Sequence, residues 1–446
     1  MRNAAVSNPA FADELRRLEP EIGQVGPLWL RRLQGAAFER FMTLGLPTPQ
    51  DEQWRQTSIS PIAATAYRRT ADRVDMDRRD LDRIPLADLG CPRLVFVDGR
   101  FAAHLSRLDG LSAGIRVGSL RDALAERPQD VQPHLGAHAN WQDRSFAALN
   151  TALFEDGALV IVPRGADLER PLHILHVGSS AGVPRVSSPR CLVLVGEQAR
   201  ISIAETFAAP DGAAYFTNAV TEIVVGAGSE VAHWRVQCDA EQAHHVGALD
   251  VHQARDSRFR SLNASLGAAL TRNDISVVLD GEGAECTLDG LYVARNRQHV
   301  DNHTTIDHAR PHAVSHERYK GILAGSARAV FHGRIIVRKG SQQTDAKQSN
   351  RNLLLSGDAV VHTRPQLEIY ADDVRCTHGA TIGHLDEDSL FYLRSRGIGL
   401  AEARGVLIHA FAAGALGGLS LRSLREGVET EAAARVDVGA SPGEAP

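Results

Sequence analysis

The chain has 446 residues, a formal net charge of -5, and 43% hydrophobic and 23% charged residues, the balance of an ordinary globular protein with length for two or three folding units of about 150 residues each. Lys and Arg are dispersed, which excludes a broad nucleic-acid surface, because neutralising phosphates takes clustered cations. The N-terminus lacks the apolar core of a signal peptide and no apolar run approaches the roughly 20 residues that span a bilayer, so a cytoplasmic protein without a membrane partner is expected.

In chain order, Trp29, Leu33, Ala37, Phe41 and Leu44 recur at helical spacing, and Gly45 and Pro47 stand where a helix stops. Residues 47–55 form a polar loop carrying Trp54, and the mixed charges from Arg68 to Arg83 read as a solvated face. Leu94 to Phe101 reads as a strand turning back at Asp98-Gly99, and a helix is predicted from about Ser119 to Glu126. Residues 1–149 are thus expected to form a mainly helical N-terminal domain.

From 150 to 383 the texture changes to short apolar-alternating runs, among them Cys191–Gly196, Ile201–Ala204, Glu222–Gly226 and Val277–Gly281. This region is mainly β. So many short strands suit a sandwich, a jelly roll or a parallel β-helix; few hairpin dipeptides of the Asn-Gly type, turn residues at short irregular intervals, and Asn350-Arg-Asn352 as a polar corner between coils favour the β-helix. A continuous core of small aliphatic side chains would agree with the 5% aromatic content.

Past Gly383 the pattern is helical again. Asp386-Glu-Asp-Ser389 places acids at a helix N-terminus, Arg394, Arg396 and Gly397 close that helix, and a second runs from about Leu400 with Val406, Leu407, Ala410 and Phe411 on one stripe. By packing alone that stripe would cap the end of the β-helix. Residues 384–428 are expected to be a helical domain, and 429–446, rich in Ala, Gly, Glu and Pro, a disordered tail.

The five cysteines, Cys91, Cys191, Cys238, Cys286 and Cys376, are odd in number and never in a C-x-x-C string, so reduced thiols are expected. Cys376 and His378 stand out. In a strand, positions i and i+2 share a face, and a thiolate beside an imidazole suits iron, zinc, copper or an iron-sulfur cluster, though a cluster needs about four ligands. The remainder would come from elsewhere, plausibly a second protein. Left to itself, Cys376 would be a buried thiol of a coil wall and His378 a hydrogen-bonded structural histidine.

The strings Lys320–Leu323, Ala329–Ile335, Thr344–Ala346, Gln348–Ser356, Pro365–Val374, Cys376–Thr381 and Leu390–Ile398, with weaker echoes at Gly45–Pro47, Asp51–Trp54, Asn150–Ala152 and Phe154–Gly157, resemble the SufB/SufD family on its SufD side. The resemblance implies a right-handed parallel β-helix between N-terminal and C-terminal helical domains, acting as a non-catalytic scaffold of the Suf iron-sulfur cluster assembly machinery. It implies pairing with a SufB-like scaffold subunit, docking of a SufC-like ATPase on the C-terminal helices (the Val406, Leu407, Ala410 and Phe411 stripe), and a transient cluster shared across the subunit interface. Cys376 and His378 fall on the family's interface Cys and His. His378 is then expected to lower the thiol's pKa or to ligate iron itself.

Other strings carry less. His299, His303, His308, His312 and His316 have near-four spacing, but the β-prone Thr304-Thr-Ile306 and Pro311 argue that they scatter around a coil, so a structural role is favoured over a metal site or iron delivery. Adjacent Asp372 and Asp373 suit a turn, since neighbours on a strand face opposite ways and cannot flank one bond. No G-x-x-x-x-G-K-[ST] string occurs, so no nucleotide is expected on this chain. The rival reading, a β-helical polysaccharide lyase or hydrolase with a histidine-bound metal, fits poorly with four Trp and unpaired thiols.

Overall fold

A computed structural model describes residues 17–436 apart from 18, 19, 21, 25, 70–75, 113, 180–182 and 211. Its centre is a mainly β parallel solenoid of eight coils, each coil giving one strand to each of two facing sheets. In one sheet the strands Tyr215–Val225, His244–Gln253, Leu270–Leu279, His299–His308 and Arg328–Val337 pair in register, so that Ile223, Val251, Val277, Ile306 and Ile335 fall on the inner face. The facing sheet stacks Phe259, Cys286, Ser315, Ala346 and Cys376 in the same manner. Alternation sends every second side chain to the lumen and the rest outward.

The corners stack as well as the strands. One residue per coil, Gln198, Gly228, Asp256, Gly283, His312 or Gln343, takes a positive φ between 54° and 70°, and each donates its backbone N–H to the carbonyl of the corner above: Ala227, Arg255, Glu282, Pro311, Gln342 and Asp373 in turn. Because the corner residue changes from coil to coil, the repeat is hard to see in the sequence. His312 and the Asp372–Asp373 bend are thereby turn elements.

The two ends of the stack differ. At the N-terminal end the strand Arg93–Val97 continues one sheet beside Leu172–Val177 and is closed by the antiparallel Arg100–Phe101, with the hairpin turning at Asp98-Gly99; the other sheet finishes on the antiparallel Arg116–Ser119. Short antiparallel strands blunt an edge. Helix α1 (Leu28–Leu44), stopped at Gly45, and helix α2 (Ser145–Leu153) lie on the outside of the first sheet, packing Phe38, Phe41 and Phe146 onto Phe216, Val246 and Leu270. A buried ion pair anchors α2: Arg190 meets Glu222 at 2.6 Å and also donates to Asn150 and Thr151 of that helix, while Asn150 donates to the carbonyls of Pro189 and Asn218.

Helices α3 (Glu387–Ser395), α4 (Leu400–Ala413) and α5 (Arg422–Val436) double back along the flank of the second sheet. Asp386 caps α3 by accepting the Ser389 N–H at 3.0 Å. Ile408, Ala412, Leu416, Leu419, Leu424, Val428 and Ala432 bury themselves on the outward Leu262, Leu291, Val293, Ile322 and Leu353. Two expectations are corrected here. The helices cover a side of the solenoid, leaving its final coil bare, because the outward face of the second sheet is apolar and needs cover. Residues 429–436, expected in a disordered tail, continue α5, since Leu424, Val428 and Ala432 form a buried i, i+4, i+8 stripe; residues 437–446 lie outside those described.

Asn350 and Asn352 are also not corner residues. They sit within the strand Thr344–Leu354 and face the lumen, with Asn350 donating to Tyr292 Oη at 3.0 Å and Asn352 to Asn350 at 2.6 Å. Tyr292 and Tyr319 fit there because a glycine opposite each leaves room: a Cβ on Gly321 or Gly290 would stand 2.1 or 2.2 Å from the neighbouring ring.

Candidate functional site at the bare end of the solenoid

The last strand, Val374–Gly383, is hydrogen-bonded on one side alone, to Thr344–Leu354, and its counterpart Val360–Ile369 is likewise the edge of the other sheet. Register places Cys376 beside Ala346 and His378 beside Gln348. Ala346 and Gln348 are buried, inward-facing residues, so Cys376 and His378 share the lumen face, as their spacing requires. Because the described chain adds no ninth coil, Cys376 is half-buried against the lumen cluster and His378 is exposed, which puts both at the mouth. The other four thiols are buried.

Burial pushes the Cys376 thiol up from its ordinary pKa, and the charge of Asp345 pushes the same way, against a backbone hydrogen bond from Ala346. The expectation that His378 depresses the thiol is therefore corrected: Cys376 is protonated at neutral pH, and binding a metal must displace its proton. The rim combines apolar and ionic groups. Ile369, Tyr370 and Ile382 are exposed, and Arg334 grips Glu368 with two bonds of 2.7 and 2.8 Å.

The histidine run does not converge. His299 bonds Thr57 at 2.9 Å, His303 meets Asp301 at 3.0 Å on an outer face, His308 faces the lumen and bonds Ser315 at 2.8 Å, His312 is a corner and His316 lies half-buried on the next strand. On α4 the buried residues are Ala403, Ile408 and Ala412, of which Ile408 and Ala412 pack on the second sheet. Of the sequence-predicted stripe, Val406 and Ala410 are exposed, Leu407 is half-buried, and Phe411 lies under the Lys320 ammonium, 4.8 Å from the ring centre. One string of the form G-x-S-x-G, Gly110-Leu-Ser-Ala-Gly114, precedes the strand Arg116–Ser119, and its Ser112 hydroxyl is engaged in donating to the Asp167 carbonyl at 3.0 Å.

What composition hid is the polarity of half the lumen. Alongside the aliphatic ladder runs a second file: Glu205, Thr221, His233 and Arg235 in the early coils, then Asn263, Asn273 and Asn302, then Glu317, Gln348, Asn350 and Asn352, reaching His378. The continuous aliphatic core expected from the sequence is thus only half of the interior. Polar residues at every second position, as in His233-x-Arg235-x-Gln237 and Gln348-x-Asn350-x-Asn352, were the available signal. Gln348 donates to Glu317 at 2.6 Å, and burial raises the Glu317 carboxyl to about 7.

A folded-state pKa above the unfolded one stabilises the protein fully below the unfolded value of 4.5, and that contribution is lost as pH rises through about 7. Denaturant unfolding of wild type is accordingly expected to lose roughly 3 kcal/mol between pH 4.5 and 8 through this group. Glu317→Gln should flatten that part of the profile; an unchanged slope would show that Glu317 ionises in the folded chain as it does in water.

Residues 176–411 match the family described as "SUF system FeS cluster assembly, SufBD core domain", and residues 16–174 match "SufBD protein N-terminal region". The chain is similar to an iron-sulfur cluster assembly SufBD family protein of Synechocystis, with 34% identity over 90% of each chain. It is similar to the iron-sulfur cluster assembly protein SufD of Escherichia coli, with 30% identity over 90% of this chain and 92% of that one, and to SufB of Bacillus subtilis, with 25% identity over 90% and 87%. Among the described residues no helix is long and apolar enough to cross a membrane.

Proposed function

Since the chain belongs to the SufBD family of iron-sulfur cluster assembly proteins, we propose that it is the SufD-like half of a two-subunit, non-catalytic scaffold whose terminal coil joins that of a SufB-like subunit. The observation that carries this reading is the bare last coil, with Cys376 and His378 at its mouth and two unpaired strand edges around them. A free edge recruits a partner strand through its unused N–H and C=O groups, and two lumen-facing ligands at such an edge need a partner's ligands to complete a site.

The cluster is cargo: it forms across the seam, held by Cys376, His378 and partner side chains, and leaves for an acceptor protein. A SufC-like ATPase docks on the outer face of α4 and drives the two scaffolds between arrangements that nucleotide binding distinguishes; this chain binds no nucleotide of its own, and it works in the cytoplasm. The polysaccharide-lyase reading is set aside by the family membership.

Co-expression with a SufB-like subunit tests the pairing. A stable heterodimer is expected, and replacing the exposed Tyr370 and Ile382 with Lys should abolish it while each chain stays folded, because charges on an edge strand oppose pairing. A heterodimer indifferent to both substitutions would place the contact elsewhere.

A further inference from the structure

At the far end of the lumen from Cys376, three side chains that can ligate a metal converge. His176 comes from the first coil, Cys191 and Glu205 from the two strands of the second, and their ligand atoms all lie within 4.8 Å of one another. His176 Nε2 is 3.7 Å from Cys191 Sγ and 3.8 Å from Glu205 Oε1. A four-coordinate ion with bonds of about 2.0 to 2.3 Å holds its ligand atoms roughly 3.3 to 3.7 Å apart. The two contacts of His176 Nε2 therefore need to close by only tenths of an ångström, and no pair of the three by more than about 1.5 Å.

The surroundings are built around these groups. The His176 ring is stacked between Phe96 and Phe207, with centroids 5.3 and 4.6 Å away and planes within 25° and 13°, which fixes its plane. Its Nδ1 is buried with no hydrogen-bond partner, while Nε2 has a hydrogen bond with the Cys191 thiol and stands too far from Glu205 Oε1, at 3.8 Å, to bond it. A buried imidazole with one nitrogen unpartnered is costly where an aliphatic side chain would fill the space.

Glu205 is oriented from behind: Oε2 accepts from His233 at 3.1 Å and from Arg235 at 3.0 Å, while Oε1, which also accepts from Thr221 at 2.7 Å, faces the imidazole and the thiol.

We propose that His176 Nε2, Cys191 Sγ and Glu205 Oε1 form a resident site for a divalent transition ion of the zinc or ferrous-iron class, closed by one water. A mixed nitrogen, sulfur and oxygen set suits such borderline ions. Binding exchanges the Cys191 S–H bond for a sulfur–metal bond and releases that one proton to solvent; no electron moves. The buried position means that the ion enters as the chain folds, and its role is to pin the first coil to the second. Six rungs at about 4.8 Å separate this site from Cys376, so the two are independent.

The test uses the full chain expressed in medium carrying Co2+ or Zn2+. One metal per chain is expected, the cobalt form should show a thiolate-to-metal charge-transfer band with intense four-coordinate d–d bands, and the loaded chain should melt higher than the chain expressed under metal limitation. Cys376→Ser should keep the band and Cys191→Ser should lose it. Substoichiometric metal in wild type, a band surviving Cys191→Ser, or a band lost with Cys376→Ser each overturns the assignment. Should Cys191→Ser fail to fold, X-ray absorption on loaded wild type decides: a shell of one sulfur with nitrogen and oxygen supports the site, and a shell with no sulfur or with two refutes it.

Discussion

Cys376→Ser and His378→Ala are each expected to lower the cluster formed with a SufB-like subunit, a SufC-like ATPase, iron and a sulfur donor by about tenfold or more, the scale on which metal centres respond to loss of a supporting or ligating group. Both variants should fold and pair as wild type does. Cys376 is half-buried and Ser empties almost no volume, while His378 is exposed, where substitutions usually stay within about 0.5 kcal/mol. What changes is the donor: a soft sulfur becomes a hard hydroxyl, or a lone-pair nitrogen is removed. The cluster's visible absorption provides the readout, beside a thermal melt and a pull-down on the same samples. Undiminished absorption in both variants would remove the pair from the site. Since the Cys376 thiol is protonated at neutral pH, loading of wild type should also accelerate toward alkaline pH, an effect that Cys376→Ser should erase.

Val406→Glu combined with Ala410→Glu is expected to abolish ATPase co-purification without altering the melting temperature. Both residues are exposed on α4, on the side away from Ile408 and Ala412, which hold the helix to the solenoid. In solution the new carboxylates cost little; beneath a docked partner each would be a buried unpaired charge, at roughly 3 to 5 kcal/mol, which removes at least two powers of ten in affinity. Truncation after Ile398 is a poorer experiment, because it also strips Ile408, Ala412, Leu416, Leu419, Leu424 and Val428 from the flank of the second sheet and exposes Leu291, Val293 and Ile322. A double variant that binds the ATPase as wild type does would move the dock off this face.

Local chemistry made some features readable before any coordinates. Gly45 after Leu44, Asp98-Gly99 between Val97 and Arg100, and Asp386 ahead of Ser389 are signals acting over a few residues, and each element ends where its signal stands. The solenoid was readable because strands without hairpin turns must be joined by crossings. Cys376 and His378 were readable because a period of two is a property of one strand.

The unreadable features depend on pairs far apart in sequence. Whether α4 and α5 cover an end or a side is decided by the outward Leu262, Leu291 and Ile322, which look like any other alternating aliphatic residue until the sheet is assembled. Asn350 was misplaced because Asn is a turn former by local preference, whereas here it is satisfied by Tyr292, 58 residues away. The convergence of His176, Cys191 and Glu205 likewise needs two coils to exist before the three meet.

The unlike finish of the two ends of the stack limits what the molecule can become. A rod of coils sticky at both extremities would add copies without stopping and grow into a fibre. Here the strands Arg100–Phe101 and Arg116–Ser119 close one extremity. In the end-to-end union proposed, each member would therefore bring one long adhesive edge, and growth would halt at two.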